Sequence, residues 1–173
     1  MDYKLQEIIF QICQTLNENN VQYLIIGGSA VALHGYFRMS RGPSGEPIEK
    51  LDIDIWYNPT YANYYNLLNA LENLGEEVNV FRNEQAPNPL KSFFKLERDQ
   101  FTLDFLPSIT TNQKFRSIYK NRDQLKFNQI VVPYINIEDL ILSKKAQARP
   151  KDIEDIKQLN KLKSSNKEDD TNK

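Results

Sequence analysis

The chain predicts an α+β fold, a small mixed β-sheet flanked by helices. Three observations carry this. Short apolar runs of strand length (Val21–Ile26, Leu51–Trp56, Phe101–Phe105) are interleaved with stretches of helical periodicity. Several short runs in the middle of the chain are joined by turns and read as hairpins. Finally, 173 residues with 40% hydrophobic and 11% aromatic side chains can bury a real core.

The elements follow in order. Leu5, Ile8, Ile9, Ile12, Cys13 and Leu16 recur at helical spacing, so a first amphipathic helix runs to about Leu16 and breaks at Asn17–Asn20. Val21–Ile26 is a buried strand, and Ser29–His34 a short helix stopped by Gly35. Phe37–Glu49 is rich in Gly, Pro and charge, and no regular element is expected there. Leu51–Trp56 is the second strand. Thr60 caps a helix carrying Tyr64, Leu67, Leu68, Leu71 and Leu74, and Gly75 ends it.

Val78–Phe81 reads as a short strand. Ser92–Glu97 pairs with Phe101–Phe105 through a turn at Arg98–Gln100. Gln113–Tyr119 is a brief helix, and Leu125–Phe127 with Gln129–Pro133 a small hairpin. Asn136 or Glu138 starts a helix through Ala148, and Pro150 starts the last one, to about Leu162. Residues 1–163 are expected as a single domain. Ser164–Lys173 has no apolar residue and is expected as a disordered polar tail.

Charge nearly cancels, with 22 Lys and Arg against 23 Asp and Glu, so no global field points to nucleic acid. The single cysteine, Cys13, has no disulfide partner and sits on the apolar helical stripe, where it fills core. No apolar run approaches the ~20 residues of a membrane span. The charged stretch Asp2–Glu7 is unlike a signal peptide, and a cytoplasmic protein with no membrane partner is expected.

The chemistry concentrates in two runs. Tyr23-Leu24-Ile25-Ile26-Gly27-Gly28-Ser29-Ala30 ends an apolar strand in a double glycine at a helix start, where backbone N–H groups favour phosphate. In Leu51-Asp52-Ile53-Asp54-Ile55-Trp56 the side chains alternate, so Asp52 and Asp54 share one face while the apolar residues take the other. Two such charges roughly 7 Å apart repel unless a divalent cation or solvent lies between them. Asp104 is a lone acid in the apolar run Phe101–Leu106 and needs a partner, a metal or a solvated cleft. If its strand lies beside Leu51–Trp56, the three acids meet at one end of the sheet and can hold Mg²⁺.

Each part also has an ordinary reading. Paired acids on a strand are commonly its solvated face, and Gly-Gly-Ser is commonly a plain turn. His34, the only histidine, caps the short helix or lines the cleft rather than acting as base. Trp56, Tyr57, Tyr61, Tyr64 and Tyr65 are core and rim, with base stacking as the alternative.

Taken in order, Gly28-Ser29, a spacer and Asp52-x-Asp54 resemble the signature of the polymerase-beta-like nucleotidyltransferase superfamily. The segment Glu138–Ile156, with Lys144, Arg149 and Asp152, resembles the lysine-bearing C-terminal motif of minimal nucleotidyltransferases of the AbiEii/MenT toxin type. The resemblance spans about Val21 to Leu159 and implies a nucleotidyltransferase-like fold. It implies that Gly28 and Ser29 hold β/γ-phosphates, that Asp52 and Asp54 bind Mg²⁺, and that Asp104 is the third acid, ligand or general base. It places Lys144 on the triphosphate, with Arg149 and Asp152 completing that wall. Lys144, Ala148 and Lys151 share a face only if one helix continues through Pro150. The loop before Asp52 is longer than in many relatives, so Arg38 and Arg41 either contact phosphates or are surface arginines.

The function this implies is Mg²⁺-dependent transfer of a nucleoside monophosphate from an NTP to an acceptor hydroxyl, with release of pyrophosphate. The acceptor is left open among tRNA, protein and a small molecule. A toxin would bring an antitoxin partner, and an antibiotic-modifying enzyme would bring resistance. The competing class is a non-catalytic sensor or partner-binding module on the same fold.

Overall fold

A computed structural model describes residues 3–37, 40–41, 47–48 and 50–171. Helix α1 (Tyr3–Glu18) buries Ile9, Ile12, Cys13 and Leu16, an i, i+3, i+4, i+7 stripe. Burial pushes the Cys13 thiol up to about 12, as befits a core residue rather than a nucleophile. After a turn with Asn20 at φ 54° come β1 (Tyr23–Ile26) and α2 (Gly27–Leu33). The two-residue strands β2 (Ser40–Arg41) and β3 (Pro47–Ile48) pair antiparallel, so part of the Phe37–Glu49 segment is regular, contrary to expectation.

Next are β4 (Leu51–Tyr57) and α3 (Tyr61–Asn73), whose Thr60 cap accepts a hydrogen bond from the Asn63 N–H at 3.3 Å. The expected strand at Val78–Phe81 is instead helix α4 (Asn79–Arg82), with the Asn79 N–H donating to Glu77 Oε1 at 3.0 Å. A four-residue apolar run suits either state, and periodicity over so short a stretch does not separate them. β5 (Phe94–Glu97), β6 (Phe101–Leu106), α5 (Phe115–Lys120), β7 (Asp123–Phe127) and β8 (Ile130–Tyr134) follow the sequence reading closely.

Asn136 caps α6 (Ile137–Gln147), its side chain accepting from the Asp139 N–H at 2.9 Å. Ala148, at φ 52°, ends α6, and α7 (Pro150–Thr171) starts afresh at Pro150. One helix therefore does not carry Lys144 and Lys151. α7 also passes the last apolar residue and reaches Thr171, where a disordered tail was expected from Ser164. The Ser164 and Ser165 hydroxyls donate back to the Asn160 and Lys161 carbonyls.

The main sheet is mixed and six-stranded, in the order β5-β6-β4-β1-β8-β7. β4 runs antiparallel to β1 and parallel to β6, a pairing that needs a crossover, supplied by α3, α4 and β5. Ile53 and Ile55 of β4 and Leu103 and Phe105 of β6 point into one hydrophobic cluster with α1, α2 and α3. Trp56 belongs to it: its indole N–H donates to the Pro107 carbonyl at 3.2 Å, and its ring meets Phe115 edge-on. Tyr57 and Tyr64 are likewise core, while Tyr61 and Tyr65 lie at the exposed rim. Among the described residues no helix is long and apolar enough to cross a membrane.

Candidate active site

Strand register brings the acids together. Ile26 of β1 stands opposite Asp54 of β4, and Asp54 opposite Asp104 of β6. One row across three neighbouring strands thus ends on two carboxylates, with the glycine turn directly after Ile26. Asp52 stands opposite Thr102, whose hydroxyl donates to Asp52 Oδ1 at 2.5 Å. Lys95 of β5 stands opposite Asp104 on its other side. The pairing that brings Asp104 to Asp52 and Asp54 was the sequence expectation, and the register realises it.

The glycine turn fits closely under this row. Gly27 has φ 64°, and a Cβ there would overlap Asp54 Oδ2 and stand 3.0 Å from its Cγ. Only glycine serves at that position, on both conformation and space. At Gly28 a Cβ would meet nothing within 4 Å, so the backbone there faces open space. The Ser29 hydroxyl is buried and donates to the Asp52 carbonyl at 3.0 Å, tying α2 to β4. Of the Gly-Gly-Ser run, the sequence reading stressed Gly28 and Ser29, whereas the tightest constraint is on Gly27.

These groups line one cavity of about 490 Å³. Its floor holds Asp52, Asp54 and Asp104, one end is the Gly27–Ser29 turn, and the α6–α7 wall brings Lys144, Arg149 and Lys151. Asp54 and Asp104 are electrostatically strained. Burial raises the pKa of Asp54, and the charges of Asp104 and Asp52 raise it further against Lys144 and Lys151. Burial also raises Asp104, opposed by Lys95. Among the described residues, Asp104 Oδ1 is buried without a hydrogen-bond partner.

A buried orphan carboxylate oxygen beside like charges is a donor set that fits a cation. Among the described residues no group of three His, Cys, Asp or Glu side chains is positioned to hold a metal by itself. Mg²⁺ ordinarily takes one or two carboxylates and completes its shell with waters and substrate phosphates.

The α6–α7 wall differs from what the resemblance implies. Lys144 is 4% exposed, with its Nζ 3.2 Å from Asp152 Oδ1 and 2.7 Å from Asp155 Oδ2, both carboxylates fully buried. Arg149 also turns to Asp152, with Nε 2.7 Å from Oδ2, and its backbone N–H donates to the same oxygen at 3.1 Å. Burial raises the Asp152 pKa, but the hydrogen bonds from Arg149 and Lys144 outweigh it and hold the group at about 2. Lys144 reaches the cavity wall with its ammonium already engaged, and Asp152 stands behind that wall.

Arg38 and the side chain of Arg41 lie outside the described residues. His34 bonds the Ile135 carbonyl through Nε2 at 2.9 Å and packs edge-on against Tyr134, a structural placement. Lys95 and Thr102 were not singled out from sequence. Their signal is positional, since each faces a carboxylate across a strand pair whose register had to be known.

Fold and cavity define a class, the nucleotidyltransferases. Over residues 3–167 the chain matches the family described as "Nucleotidyltransferase of unknown function (DUF6036)", and it belongs to that family. Among solved structures it is similar to the lincosamide antibiotic adenylyltransferase LnuA in its lincomycin-bound form. Identity there is 19% and the TM-score 0.57, over 94% of this chain and 98% of that one. It is also similar to an antigenic nucleotidyltransferase-like protein from Paracoccidioides brasiliensis. That match has 18% identity and a TM-score of 0.52, over 93% and 77% of the two chains. No curated protein matches the chain. At these identities the structural neighbours speak for the fold alone.

Proposed function

We propose that the protein transfers a nucleoside monophosphate from an NTP to an acceptor hydroxyl, dependent on Mg²⁺, with pyrophosphate as the second product. The observation that carries this reading is the row Ile26–Asp54–Asp104, which sets two strained carboxylates beside the glycine turn in one cavity. Asp52 and Asp54 are the residues that would hold Mg²⁺, with Asp104 as third ligand or base. Bound there, the metal would neutralise phosphate charge and polarise the α-phosphoryl group.

The chain's own groups do the rest. The open backbone at Gly28 and the N–H groups of the turn give the phosphates a seat. The acceptor oxygen attacks the α-phosphorus, the bond from that phosphorus to the α–β bridging oxygen breaks, and pyrophosphate leaves with the electron pair. The acceptor's proton passes to the Asp104 carboxylate, a base whose pKa burial raises. Holding both reactants in this cavity supplies the in-line geometry.

For the acceptor, the AbiEii/MenT resemblance favours tRNA or protein, a growth-arrest phenotype and a neutralising antitoxin. The likeness to LnuA over nearly the whole of both chains favours a second acceptor, a small-molecule hydroxyl. The test is label transfer from each α-³²P-labelled NTP to total tRNA, cell protein and lincomycin. Transfer to one class, lost in Asp52→Ala and in Asp54→Ala, is the expected result. Transfer retained by either variant in Mg²⁺ contradicts the assignment.

A further inference from the structure

We infer that Lys151, and not Lys144, is the side chain of the α6–α7 wall that binds the triphosphate. This rests on the nucleotidyltransferase reading and assigns the cation within it. A nucleoside triphosphate brings several negative charges into a cavity whose floor already carries Asp52, Asp54 and Asp104. Binding therefore calls for a cation with protons to give.

The cations on the cavity wall can be compared one by one. Lys144 sits between Asp152 and Asp155, at 3.2 and 2.7 Å, with almost no exposure. Turning it toward a phosphate would break its ion pairs with two buried carboxylates, an unfavourable exchange. Arg149 is engaged by Asp152 through both its side chain and its backbone N–H, and also meets Gln147 Oε1. Lys95 stands 3.3 Å from Glu97 across the cavity, beside Asp104. Lys151 lines the cavity, is exposed, and has no carboxylate within ion-pair distance among the described residues.

Helix energetics gives a second, independent observation. Lys151 is the second residue of α7, next to Pro150. That is the positive end of the helix dipole, where an acid such as the adjacent Asp152 is favoured and a lysine is disfavoured. Lys151 therefore contributes little to its own helix, and its place is accounted for by what it faces. A cation on a long flexible stem at the mouth can follow a phosphate chain into the cavity, which a locked Lys144 cannot do.

The test is calorimetric titration of the full chain with ATP, GTP, CTP and UTP in Mg²⁺, and with inorganic tripolyphosphate, for wild type, Lys151→Gln and Lys151→Arg. Melting temperatures are read alongside. For the nucleotide that wild type binds, Lys151→Gln is expected to raise Kd by about tenfold or more, the weight of one charge-assisted phosphate contact. Tripolyphosphate binding falls in parallel, the melting temperature is unchanged or higher, and Lys151→Arg retains most of the affinity. If wild type binds and Lys151→Gln binds equally well, the assignment of Lys151 is overturned while the nucleotidyltransferase reading stands. If wild type binds no nucleotide and no tripolyphosphate, both are overturned.

Discussion

Two groups of charged side chains face each other across one cavity, and they are built on opposite rules. On the α6–α7 side, Arg149, Asp152, Lys144 and Asp155 form a chain of contacts that alternates in sign, at 2.7–3.2 Å. On the sheet side, Asp52, Asp54 and Asp104 share one sign, and Asp104 Oδ1 has no hydrogen-bond partner among the described residues. The first arrangement joins two helices that Ala148 and Pro150 separate. The second leaves like charges facing each other, which lowers stability unless a ligand compensates. Strained, like-charged acids in a cleft are where function is to be sought, and a satisfied buried network is where architecture is.

The largest expected effect breaks the satisfied side. Lys144→Met removes the cation shared by buried Asp152 and Asp155 and leaves Arg149 on Asp152, at a cost of about 3–5 kcal/mol. Thermal unfolding should shift down by roughly 10 °C for a chain of this size. A melting temperature within a degree or two of wild type would remove Lys144 from the structural role. Gly27→Ala comes next, since the added Cβ meets Asp54 in a left-handed backbone conformation. It should cost at least about 2 kcal/mol and displace Asp54, read as lower stability together with lost transfer.

The two sides also respond oppositely to pH. Asp152 is held at about 2 in the folded state, below its ordinary value of 3.8. A depressed acid stabilises the fold above its unfolded pKa, and that stability fades as pH falls from about 4 toward 2, by about 2 kcal/mol in all. Chemical denaturation across this range should show the loss, and Asp152→Asn should abolish it. Asp54 is raised, so its charged form disfavours the fold and stability is lost as pH rises through its titration. The smallest effect follows: Asp54→Asn should raise the melting temperature of metal-free protein slightly, while ending transfer. A lower melting temperature would show that the carboxylates are not in conflict.

The sequence made some of this legible for clear physical reasons. Alternation in Leu51–Trp56 fixes which face Asp52 and Asp54 occupy whatever strand lies beside them. The Thr60 and Asn136 caps and the hairpin Phe94–Leu106 are local events, written in neighbouring residues. The contact of Gly27 with Asp54 was not legible, because it depends on how β1 and β4 align. Lys95 and Thr102 were hidden for the same reason.

Lys144 is the instructive case. The resemblance put it on the triphosphate, yet it lies four residues after buried Leu140 and three after buried Ile141, on the inward face of α6. A lysine on an apolar helix face calls for buried acids, and Asp152 and Asp155 supply them from the next helix. Helix α4 at Asn79–Arg82 was not legible in the short run Val78–Phe81 because periodicity over four residues cannot separate the two states.

The most direct measurement of the central claim is Mg²⁺-dependent nucleotide binding by calorimetry, on wild type and on the Asp52→Ala/Asp54→Ala double variant. The account predicts that wild type binds at least one NTP tightly with Mg²⁺ and weakly without it, and that the double variant loses the Mg²⁺-dependent part while remaining folded. Equal binding with and without Mg²⁺, or binding unaffected by loss of both carboxylates, would contradict it.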